Sequence, residues 1–469
     1  MFEINRIIDT DSYKASHYLQ YPPKTTLVHS YLESRGSERN YTETVFFGLQ
    51  YLLKRYFVEK ITLADVEEAH EVIIKHGEPF NYEGWKSLIE KHGGKMPLRV
   101  RAVAEGSIVP TRNVLMTVEN TDPEFYWLTS WFESQLMRIW YPITVATQSY
   151  YIKKNVYKFL QETADDANAE IQFKVHDFGS RGVSSQETAA IGGAAHLVNF
   201  LGTDTMASLM LHRKFYQTEM AGFSIPAAEH STITSWGREN EVEAYRNMLK
   251  HFAKPNSLVA VVSDSWNIYE AVEKIWGEQL RQEVIDSGAT IVIRPDSGEP
   301  IEVVSRVAHL LGEKFGTTIN SKGYKVLKNV RIIQGDGVNE KSIHAILERL
   351  KNEGFSASNV AFGIGGALLQ KIDRDTMKFA YKCSAIVADN KLIEVYKQPI
   401  TDSGKNSKRG RLDLILDENE AYKTVVLPDV ETLATENSEM QTVFENGEIL
   451  IDDSLETIRG RASKFFAER

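Results

Sequence analysis

The sequence predicts an α/β protein built around parallel strands that alternate with helices. Four apolar runs lie between Leu258 and Gly366, and each stops on Asp or Gly: 258–265, 290–298, 329–337 and 359–366. Between the first three runs, apolar residues recur at the spacing of a helix. This order is typical of parallel βα units. Such units form either a barrel or an open sheet, and both place ligands at the carboxyl ends of the strands.

The spacing of the strand ends favours a barrel. Residues suited to a binding site follow successive predicted strands at intervals of 26 to 40 residues. They are Asp177, Asp204, His230, Asp264, Asp296, Asp336 and Gly365. A TIM barrel uses roughly 30 residues per unit, because its eight units occupy about 250 residues. We therefore expect a TIM-like (βα) barrel over residues 166–385.

The segments on both sides of the barrel predict a second domain. Residues 97–120 alternate apolar and polar positions, which is typical of antiparallel strands, and 124–165 predict two aromatic-rich helices separated at Pro142. Residues 386–469 predict further antiparallel strands and a closing helix. We expect these strands to join the sheet of residues 1–165, so that both chain ends build one mixed α+β domain.

Composition excludes several classes of protein. Hydrophobic residues make up 42% of the 469 residues and charged residues 25%, which is typical of a soluble globular protein of two or three domains. No apolar run is long enough to span a membrane. The single cysteine, Cys383, excludes an internal disulfide and fits a reducing, cytoplasmic location. The net charge of −10 argues against nucleic acid as a partner.

A basic segment interrupts this acidic chain. Residues 371–411 contain ten Lys or Arg against five Asp or Glu, whereas residues 412–469 contain fourteen acidic against five basic side chains. A local excess of positive charge suits an anionic small substrate, although a solvated basic loop gives the same pattern.

His230 is the sharpest single candidate for chemistry. It follows Glu229 at a predicted strand end, and Asp264 ends the next strand. A histidine oriented by a carboxylate acts as a general base or as a nucleophile. A lone histidine is more often structural, so the position at a barrel strand end is what favours a catalytic interpretation.

Four further strand ends offer groups for a sugar phosphate. In HDFGSRG, Phe178 can stack on a flat ring and Arg181 can hold a phosphate or carboxylate, although a tight turn explains the same residues. IRPDSG and QGDG place Arg294, Asp296 and Asp336 beside turn glycines, a combination that suits ribose hydroxyls, pyrophosphate and Mg²⁺. The Gly365–Gly366 pair can offer backbone N–H groups to a phosphate. Walker and GxGxxG fingerprints are absent from the sequence.

Several motifs together resemble the nicotinamide phosphoribosyltransferase family. They run collinearly from about residue 5 to 465 and include TDSYK (10–14), HDFGSRGVSSQETA (176–189), PAAEHSTIT (226–234), IRPDSG (293–298) and AFGIGGALLQK (361–371). The resemblance implies an irregular (βα) barrel with a mixed domain and a homodimer with shared active sites. It also implies transfer of phosphoribosyl from phosphoribosyl pyrophosphate to nicotinamide. Mg²⁺ and ATP take part, and ATP hydrolysis acts through a phosphohistidine.

The resemblance also assigns roles to residues. Phe178 and the partner subunit's Tyr13 would enclose the pyridine ring, and Asp204 would accept a hydrogen bond from the carboxamide. Arg181 and Arg294 would line the ring and phosphate region. The groups for ribose, metal-linked water and nucleotide phosphate would be Asp296, Asp336, Gly335, Gly365 and Gly366. The metal ligands stay unknown, since Mg²⁺ would be held mainly by substrate phosphates, with Asp296 reaching it through water.

His230 would be the phosphorylated residue, with Glu229 and Asp264 orienting it. The partner subunit would bring basic side chains to pyrophosphate: Arg35, Arg374, Lys382 and Lys397, with Lys405 and Arg411 as weaker matches. One segment departs from the family pattern, because only GSERN separates Arg35 from Tyr41 where longer members carry an extended basic segment. The strength of ATP coupling is therefore open.

Two alternative functions remain at this stage. Nicotinate phosphoribosyltransferases share the fold, but an ionised Asp204 beside the ring would repel the carboxylate of nicotinate and favour an amide. A non-catalytic protein that binds metabolites or signals on the same scaffold is the second alternative.

Overall fold

The computed structural model describes residues 4–401 and 403–467 and divides the chain into two compact units. The first unit comprises the chain up to Thr147, the segment Lys214–Thr218 and the chain from Asp373 onward. The second unit comprises Gln148–Arg213 and Glu219–Ile372. The division after Ile372 precedes the predicted limit at 385, because the strand Phe379–Ala388 pairs with Thr25–Ser34 of the first unit.

The second unit is built on six parallel strands. Their order across the sheet is Gly202–Thr203, Val175–Asp177, Val360–Ile364, Val330–Gln334, Thr290–Arg294 and Leu258–Val262. The last four are the apolar runs of the sequence, each ending where the Asp or Gly begins. All carboxyl ends lie at the same edge of the sheet, because parallel strands share one direction.

A short extended segment joins the two edges of this sheet. Phe223 forms a parallel bridge to Gly202 at one edge, and Ala227 forms a parallel bridge to Ala260 at the other. Backbone hydrogen bonds support both bridges, including Thr203 N–H to the Phe223 carbonyl at 3.0 Å and Ala228 N–H to the Ala260 carbonyl at 2.9 Å. The sheet is therefore closed into an irregular barrel.

Helices follow the strands of the barrel unit. They are Ala167–Ile171, Gln186–His196, Met206–Phe215, His230–Thr234, Glu241–Phe252, Ile268–Glu270, Arg281–Ser287, Pro300–Phe315, Glu340–Asn352 and Gly366–Leu369, with a π-helix at Ala271–Gln279 and 3₁₀ turns at Ser180–Gly182, Arg238–Asn240 and Ala357–Asn359. A hairpin of Thr317–Ile319 and Lys325–Leu327 follows the longest of them. The apolar face of Pro300–Phe315 is buried, as the helical period predicts.

The first unit contains a seven-stranded antiparallel sheet. Its order is Lys391–Glu394, Phe379–Ala388, Thr25–Ser34, Val114–Asn120, Leu98–Val103, Met440–Glu445 and Glu448–Ile449. Two small pairs accompany it, Glu43–Val45 with Ile108–Pro110 and Leu412–Leu416 with Tyr422–Val426. Three strands from the N-terminal part of the chain lie at the centre of the large sheet, and two strands from the C-terminal part flank them on each side. The predicted fold class, a (βα) barrel with a mixed domain made by both termini, is confirmed.

The helices of the first unit surround this sheet. They are Leu49–Tyr56, Leu63–His76, Tyr82–His92, Leu128–Trp131, Glu133–Met137, Leu455–Ala462 and Lys464–Ala467, with 3₁₀ turns at Ser12–Leu19, Pro123–Phe125, Arg374–Met377 and Ser403–Lys405. The long helix Trp140–Thr163 runs from the first unit into the second. Pro142 lies in its first turn, where a missing N–H costs nothing, so it begins this helix instead of separating two. Across 4–401 and 403–467, no helix has the length and apolar character of a membrane span.

Candidate active site

The rim of the barrel carries the predicted chemical groups of the second unit. Asp177 ends a strand, Asp204 and Gly365 directly follow one, and Asp264 and Asp296 each lie two residues after one. His230 follows the extended segment that closes the barrel and begins the helix His230–Thr234. One edge of the barrel unit therefore gathers residues that are up to 188 positions apart in sequence.

His230 and Asp264 form a hydrogen-bonded pair. Nε2 of His230 lies 3.0 Å from Oδ1 of Asp264. The Asp264 side chain is only 4% exposed, whereas that of His230 is 45% exposed. An ionised carboxylate only accepts, so this contact requires a proton on Nε2. In the neutral ring the lone pair is then on Nδ1, which is the nucleophilic nitrogen in this tautomer.

The second oxygen of Asp264 is held by the next strand end. Oδ2 accepts the backbone N–H of Asp296 at 3.1 Å and the hydroxyl of Ser297 at 2.5 Å. Both donors come from the turn after Thr290–Arg294. The predicted motif IRPDSG therefore orients Asp264 as well as presenting its own carboxylate. The sequence had not identified the role of Ser297.

Asp296 lies between an arginine and the histidine. Its Oδ2 is 3.4 Å from Nη2 of Arg294 and 4.0 Å from Nδ1 of His230. Gly335 makes this approach feasible: a Cβ added there would be 3.1 Å from Oδ1 of Asp296 and 3.7 Å from the ring of Phe178. Arg294, Asp296, His230, Gly335 and Phe178 are thus brought together at the rim.

The ring of Phe178 lies over the inside of the barrel. It packs against Ala260, Val292 and Ile333, and its backbone N–H donates to the Ile364 carbonyl at 2.9 Å. A Cβ on Gly363 would lie 2.0 Å from the ring, so the first residue of GIGG (363–366) must lack a side chain. A partly exposed aromatic face above small aliphatic residues suits stacking with a flat heterocycle.

Asp204 stands at the opposite edge of the sheet from Asp264. Its carboxylate is exposed, and its Oδ1 accepts the hydroxyl of Ser224 at 2.5 Å. Ser224 belongs to the extended segment that closes the barrel. Burial lowers the pKa of the neighbouring His176, and the charge of Asp204 opposes this change. Ser224 was missed from the sequence, because a hydroxyl in a short aperiodic segment gives no pattern.

The remaining rim residues lie on turns. Arg181 is exposed in Ser180–Gly182, and a Cβ on Gly182 would lie 3.5 Å from Cα of Gly366. The Arg181 turn and the glycine pair are therefore neighbours. Asp336 is exposed, and its carbonyl accepts a hydrogen bond from Gln334 at 2.8 Å. Of the described contacts, none joins Arg181 or Asp336 to His230.

Glu229 does not contact His230 in the described structure. It precedes the helix His230–Thr234, its carboxylate accepts the Ser231 hydroxyl, and its N–H donates to Thr232 at 3.3 Å. Glu229 therefore shapes the turn that carries His230. Among 4–401 and 403–467, no group of three His, Cys, Asp or Glu side chains is arranged to hold a metal ion.

The basic residues predicted for pyrophosphate belong to the first unit. Burial lowers the pKa of Lys382; the charge of Glu133 opposes this, and Arg35, Lys397 and Arg374 lower it further. These four cations are therefore within electrostatic reach of one another. Arg35 also donates from Nε to Glu33 at 3.1 Å.

Tyr13, predicted to reach the partner's ring site, is 57% exposed in the first unit. Its ring meets His17 edge to face at 5.0 Å. Lys405 ends the exposed 3₁₀ turn Ser403–Lys405. The expectation for Arg411 was wrong: its side chain is 1% exposed and forms a bidentate pair with Glu119 at 3.0 and 3.1 Å.

Comparisons with protein families and with solved structures support the fold described above. Residues 173–448 match the nicotinate phosphoribosyltransferase (NAPRTase) family, and residues 5–100 match the nicotinamide phosphoribosyltransferase N-terminal domain. In fold, the chain is similar to a nicotinate-nucleotide pyrophosphorylase from Pyrococcus furiosus (TM-score 0.62, 17% identity, 100% of this chain and 98% of that one). It is also similar to human nicotinic acid phosphoribosyltransferase (TM-score 0.56, 15% identity, 97% and 93%).

Relatives that match over nearly their whole length identify the family more narrowly. A nicotinamide phosphoribosyltransferase of Xanthomonas campestris pv. campestris is 56% identical over 460 residues, which cover 98% of each chain. One from Acinetobacter baylyi is 32% identical and covers 99% of this chain and 98% of its own. The chain belongs to the nicotinamide phosphoribosyltransferase family, and the resemblance found in the sequence is confirmed.

Proposed function

We propose that this protein transfers the phosphoribosyl group of phosphoribosyl pyrophosphate to nicotinamide. A bond forms between the ring nitrogen and C1′ of the ribose, the bond from C1′ to the pyrophosphate oxygen breaks, and nicotinamide mononucleotide and pyrophosphate leave. The observation that carries the proposal is the 56% identity, over nearly the whole chain, to a protein of that name. The product then serves NAD salvage.

Phe178 and Asp204 recognise the ring in this proposal. The ring of Phe178 supplies a flat apolar surface on which the pyridine stacks. Asp204, with one oxygen engaged by Ser224, offers its other oxygen to the carboxamide NH₂. Nicotinate carries a carboxylate at that position, and like charges side by side disfavour it. This favours nicotinamide over nicotinate as the substrate.

The sugar and its phosphates are bound by Arg294, Asp296, Asp336 and the turn glycines. Carboxylates accept from ribose hydroxyls, while Arg294 and Arg181 neutralise phosphate charge. Backbone N–H groups of Gly335, Gly365 and Gly366 approach phosphate oxygens without side chains in the way. Mg²⁺, when bound with the substrate, supplies further charge compensation for pyrophosphate, and the hard carboxylate oxygens of Asp296 and Asp336 at the rim fit that ion.

His230 couples ATP to the reaction. Its Nδ1 lone pair attacks the γ-phosphorus of ATP, an N–P bond forms, the bond to the β-phosphate oxygen breaks, and ADP leaves. The proton on Nε2 stays in its hydrogen bond to Asp264, which stabilises the positive charge of the ring. Water later hydrolyses the phosphohistidine. Glu229 supports this step by shaping the turn that presents His230.

A second copy of the chain completes the site. The cations Arg35, Arg374, Lys382 and Lys397 lie near one another in the first unit, which supports a shared role toward one polyanion. In a homodimer they meet the partner's pyrophosphate, and exposed Tyr13 covers the second face of the ring bound on Phe178. We place the enzyme in the cytoplasm, which the single cysteine supports, and expect no nucleic acid partner on account of the net charge of −10.

The test combines purified protein, Mg²⁺ and phosphoribosyl pyrophosphate with nicotinamide or nicotinate, with and without ATP, and follows the mononucleotide by mass. Product from nicotinamide, increased by ATP, supports the proposal. Preference for nicotinate would replace the substrate. No product from a folded dimer would favour a non-catalytic binding protein.

Asp204→Asn tests the substrate assignment. An amide no longer repels nicotinate, so the preference for nicotinamide, as the ratio of the two kcat/KM values, should fall by about tenfold or more. Asp286→Asn is the matched control, because Asp286 is an exposed helix residue that contacts Gln282. Equal ratios in wild type and Asp204→Asn would exclude Asp204 as the selecting group.

A further inference from the structure

Asp264 is a nearly buried carboxylate whose orientation rests on three donors. Oδ1 accepts a hydrogen bond from His230 Nε2 at 3.0 Å. Oδ2 accepts hydrogen bonds from the Asp296 N–H at 3.1 Å and from the Ser297 hydroxyl at 2.5 Å. A buried carboxylate that loses a donor is left partly unsatisfied, and it rotates or attracts water instead. The Ser297 hydroxyl is the shortest of the three contacts and the only one that a side-chain substitution removes without touching His230 or Asp296.

The rotation of Asp264 decides which nitrogen of His230 carries the proton. Neutral imidazole has two tautomers, and the partner of one nitrogen selects between them. With Oδ1 directed at Nε2, the lone pair is on Nδ1, which faces Asp296 at 4.0 Å. If the carboxylate turns away, Nε2 loses its acceptor and both tautomers become populated.

We propose that Ser297 is a positioning residue that fixes the Nε2-protonated tautomer of His230 by holding Asp264. Its consequence for catalysis rests on the proposed function, because only the Nδ1 lone pair can attack the γ-phosphorus of ATP in this geometry. Ser297 touches neither the ring-binding face of Phe178 nor Asp204 in the described contacts. Its effect therefore belongs to the phosphoryl step and not to nicotinamide binding.

The catalytic readout compares Ser297→Ala with Ser297→Thr, which keeps the hydroxyl. In Ser297→Ala, formation of phosphoenzyme from labelled ATP should slow by about tenfold to hundredfold, the range for losing a hydrogen-bond partner one step removed from the reactive group. The KM for nicotinamide should stay within about twofold. Ser297→Thr should recover most of the rate. An unchanged phosphoenzyme rate in Ser297→Ala would overturn the catalytic consequence.

The structural readout is independent of activity. Histidine-selective ¹⁵N labelling, with His230→Gln to assign the signals, reports which ring nitrogen of His230 is protonated. Wild type and Ser297→Thr should show the Nε2–H tautomer, and Ser297→Ala a mixture. A wild-type spectrum for Ser297→Ala would refute the proposal even if product forms normally. If wild type makes no product, the proposed function fails, yet the tautomer comparison still decides the role of Ser297.

Two further variants distinguish loss of the Ser297 hydroxyl from general destabilisation of the fold. Ser297→Cys removes the strong donor with little change of volume and should behave as Ser297→Ala does. Ser321→Ala is the matched control: its hydroxyl and its own N–H both donate to Asp165, at 2.6 and 2.9 Å, in the same unit. An equal loss of phosphoenzyme in Ser321→Ala would point to general destabilisation and overturn the specific role of Ser297.

Discussion

The protein contains two histidine–carboxylate pairs with the same 3.0 Å separation and different surroundings. His29 pairs with Glu119 through Nδ1 in the antiparallel sheet, and His230 pairs with Asp264 through Nε2 at the barrel rim. His29 is 2% exposed, and its second nitrogen accepts the N–H of Leu412 at 3.2 Å. The second nitrogen of His230 faces the partly exposed Asp296. A histidine whose two nitrogens are both engaged stabilises the fold, while one with an accessible nitrogen is available for chemistry.

The carboxylates of the two pairs, Glu119 and Asp264, also differ in the partners that hold them. Glu119 accepts from three side chains, because Arg411, Arg99 and His29 converge on it. Arg411 in turn donates to three backbone carbonyls, those of Asp429, Val430 and Thr432. Glu119, Arg411 and His29 are thus each held by several partners in the first unit. The rim pair depends on a single hydroxyl and one backbone N–H, so small changes there alter reactivity before they alter stability.

Replacing each histidine gives the largest expected contrast. His230→Ala should lower the ATP-stimulated rate by about 10² to 10⁴-fold, since it removes the phosphoryl acceptor, while the melting temperature stays nearly unchanged. His29→Ala should do the reverse, losing about 1–3 kcal/mol of unfolding free energy by removing one donor from buried Glu119 and the acceptor of the Leu412 N–H. ATP-stimulated turnover and urea unfolding of both variants measure the contrast. Intact ATP stimulation in His230→Ala would remove the coupling role.

Arg411→Ala should be the most destabilising change in the sheet cluster. It removes the bidentate partner of the buried Glu119 charge, which costs about 3–5 kcal/mol of unfolding free energy. Arg409→Ala, two residues earlier and paired with Glu394 on the surface, is the matched control and should change stability by less than about 1 kcal/mol. Denaturant midpoints of the two variants compare them. Similar midpoints would mean that Arg411 is not the main partner of Glu119.

Acid should destabilise the cluster through Glu119. Burial raises its pKa, but hydrogen bonds from His29 and Arg411 and the charge of Arg411 outweigh burial and bring the pKa from 4.5 to about 2. Because the folded pKa lies below the unfolded one, the stabilisation is present above pH 4.5 and is lost as pH falls toward 2; it amounts to about 3 kcal/mol. Urea unfolding at several pH values should show this loss in wild type. Glu119→Gln should lack this part of the pH dependence.

Glu105 should give a pH effect of the opposite sign. Complete burial raises its pKa from 4.5 to about 7, although the N–H groups of Gln50 and Gly48 act against the change. The folded pKa now exceeds the unfolded one, so stability falls as pH rises from 4.5 to 7, and about 1 kcal/mol of that fall should lie between pH 6 and 8. Glu105→Gln should flatten this part of the stability curve. A wild-type slope in that variant would assign the effect to another group.

The sequence predicted the parts of the fold that follow from periodicity. The strands Thr290–Arg294 and Val360–Ile364 are apolar runs bounded by turn residues, and the helix Pro300–Phe315 shows the helical period. The extended segment that closes the barrel was not predicted, because Phe223–Ala227 is short, contains a proline and shows no alternation. Its two bridges depend on residues far away in sequence.

The candidate site was predictable where residues end a strand. His230, Asp264 and Asp296 are brought together by the common direction of parallel strands, which the sequence pattern already implies. Ser224 and Ser297 were missed, since a hydroxyl becomes informative only once its acceptor is known. Arg411 was assigned to substrate for the same reason: its partner Glu119 lies 292 positions away, beyond any local pattern.

The segment Phe223–Ala227, which closes the barrel, fixes the number of residues that the chain can have at this place. Phe223 and Ala227 are tied to opposite edges of the sheet, with Ser224 beside one edge and His230 three residues beyond the other. Each extended residue spans about 3.3 Å, and a shift of one residue reverses which side chains face inward. We expect insertions and deletions among homologous sequences to accumulate elsewhere, as in the turn at residues 36–40, and to avoid 223–230. In laboratory evolution, this stretch should accept substitutions outside Ser224, Glu229 and His230 while rejecting every change of length.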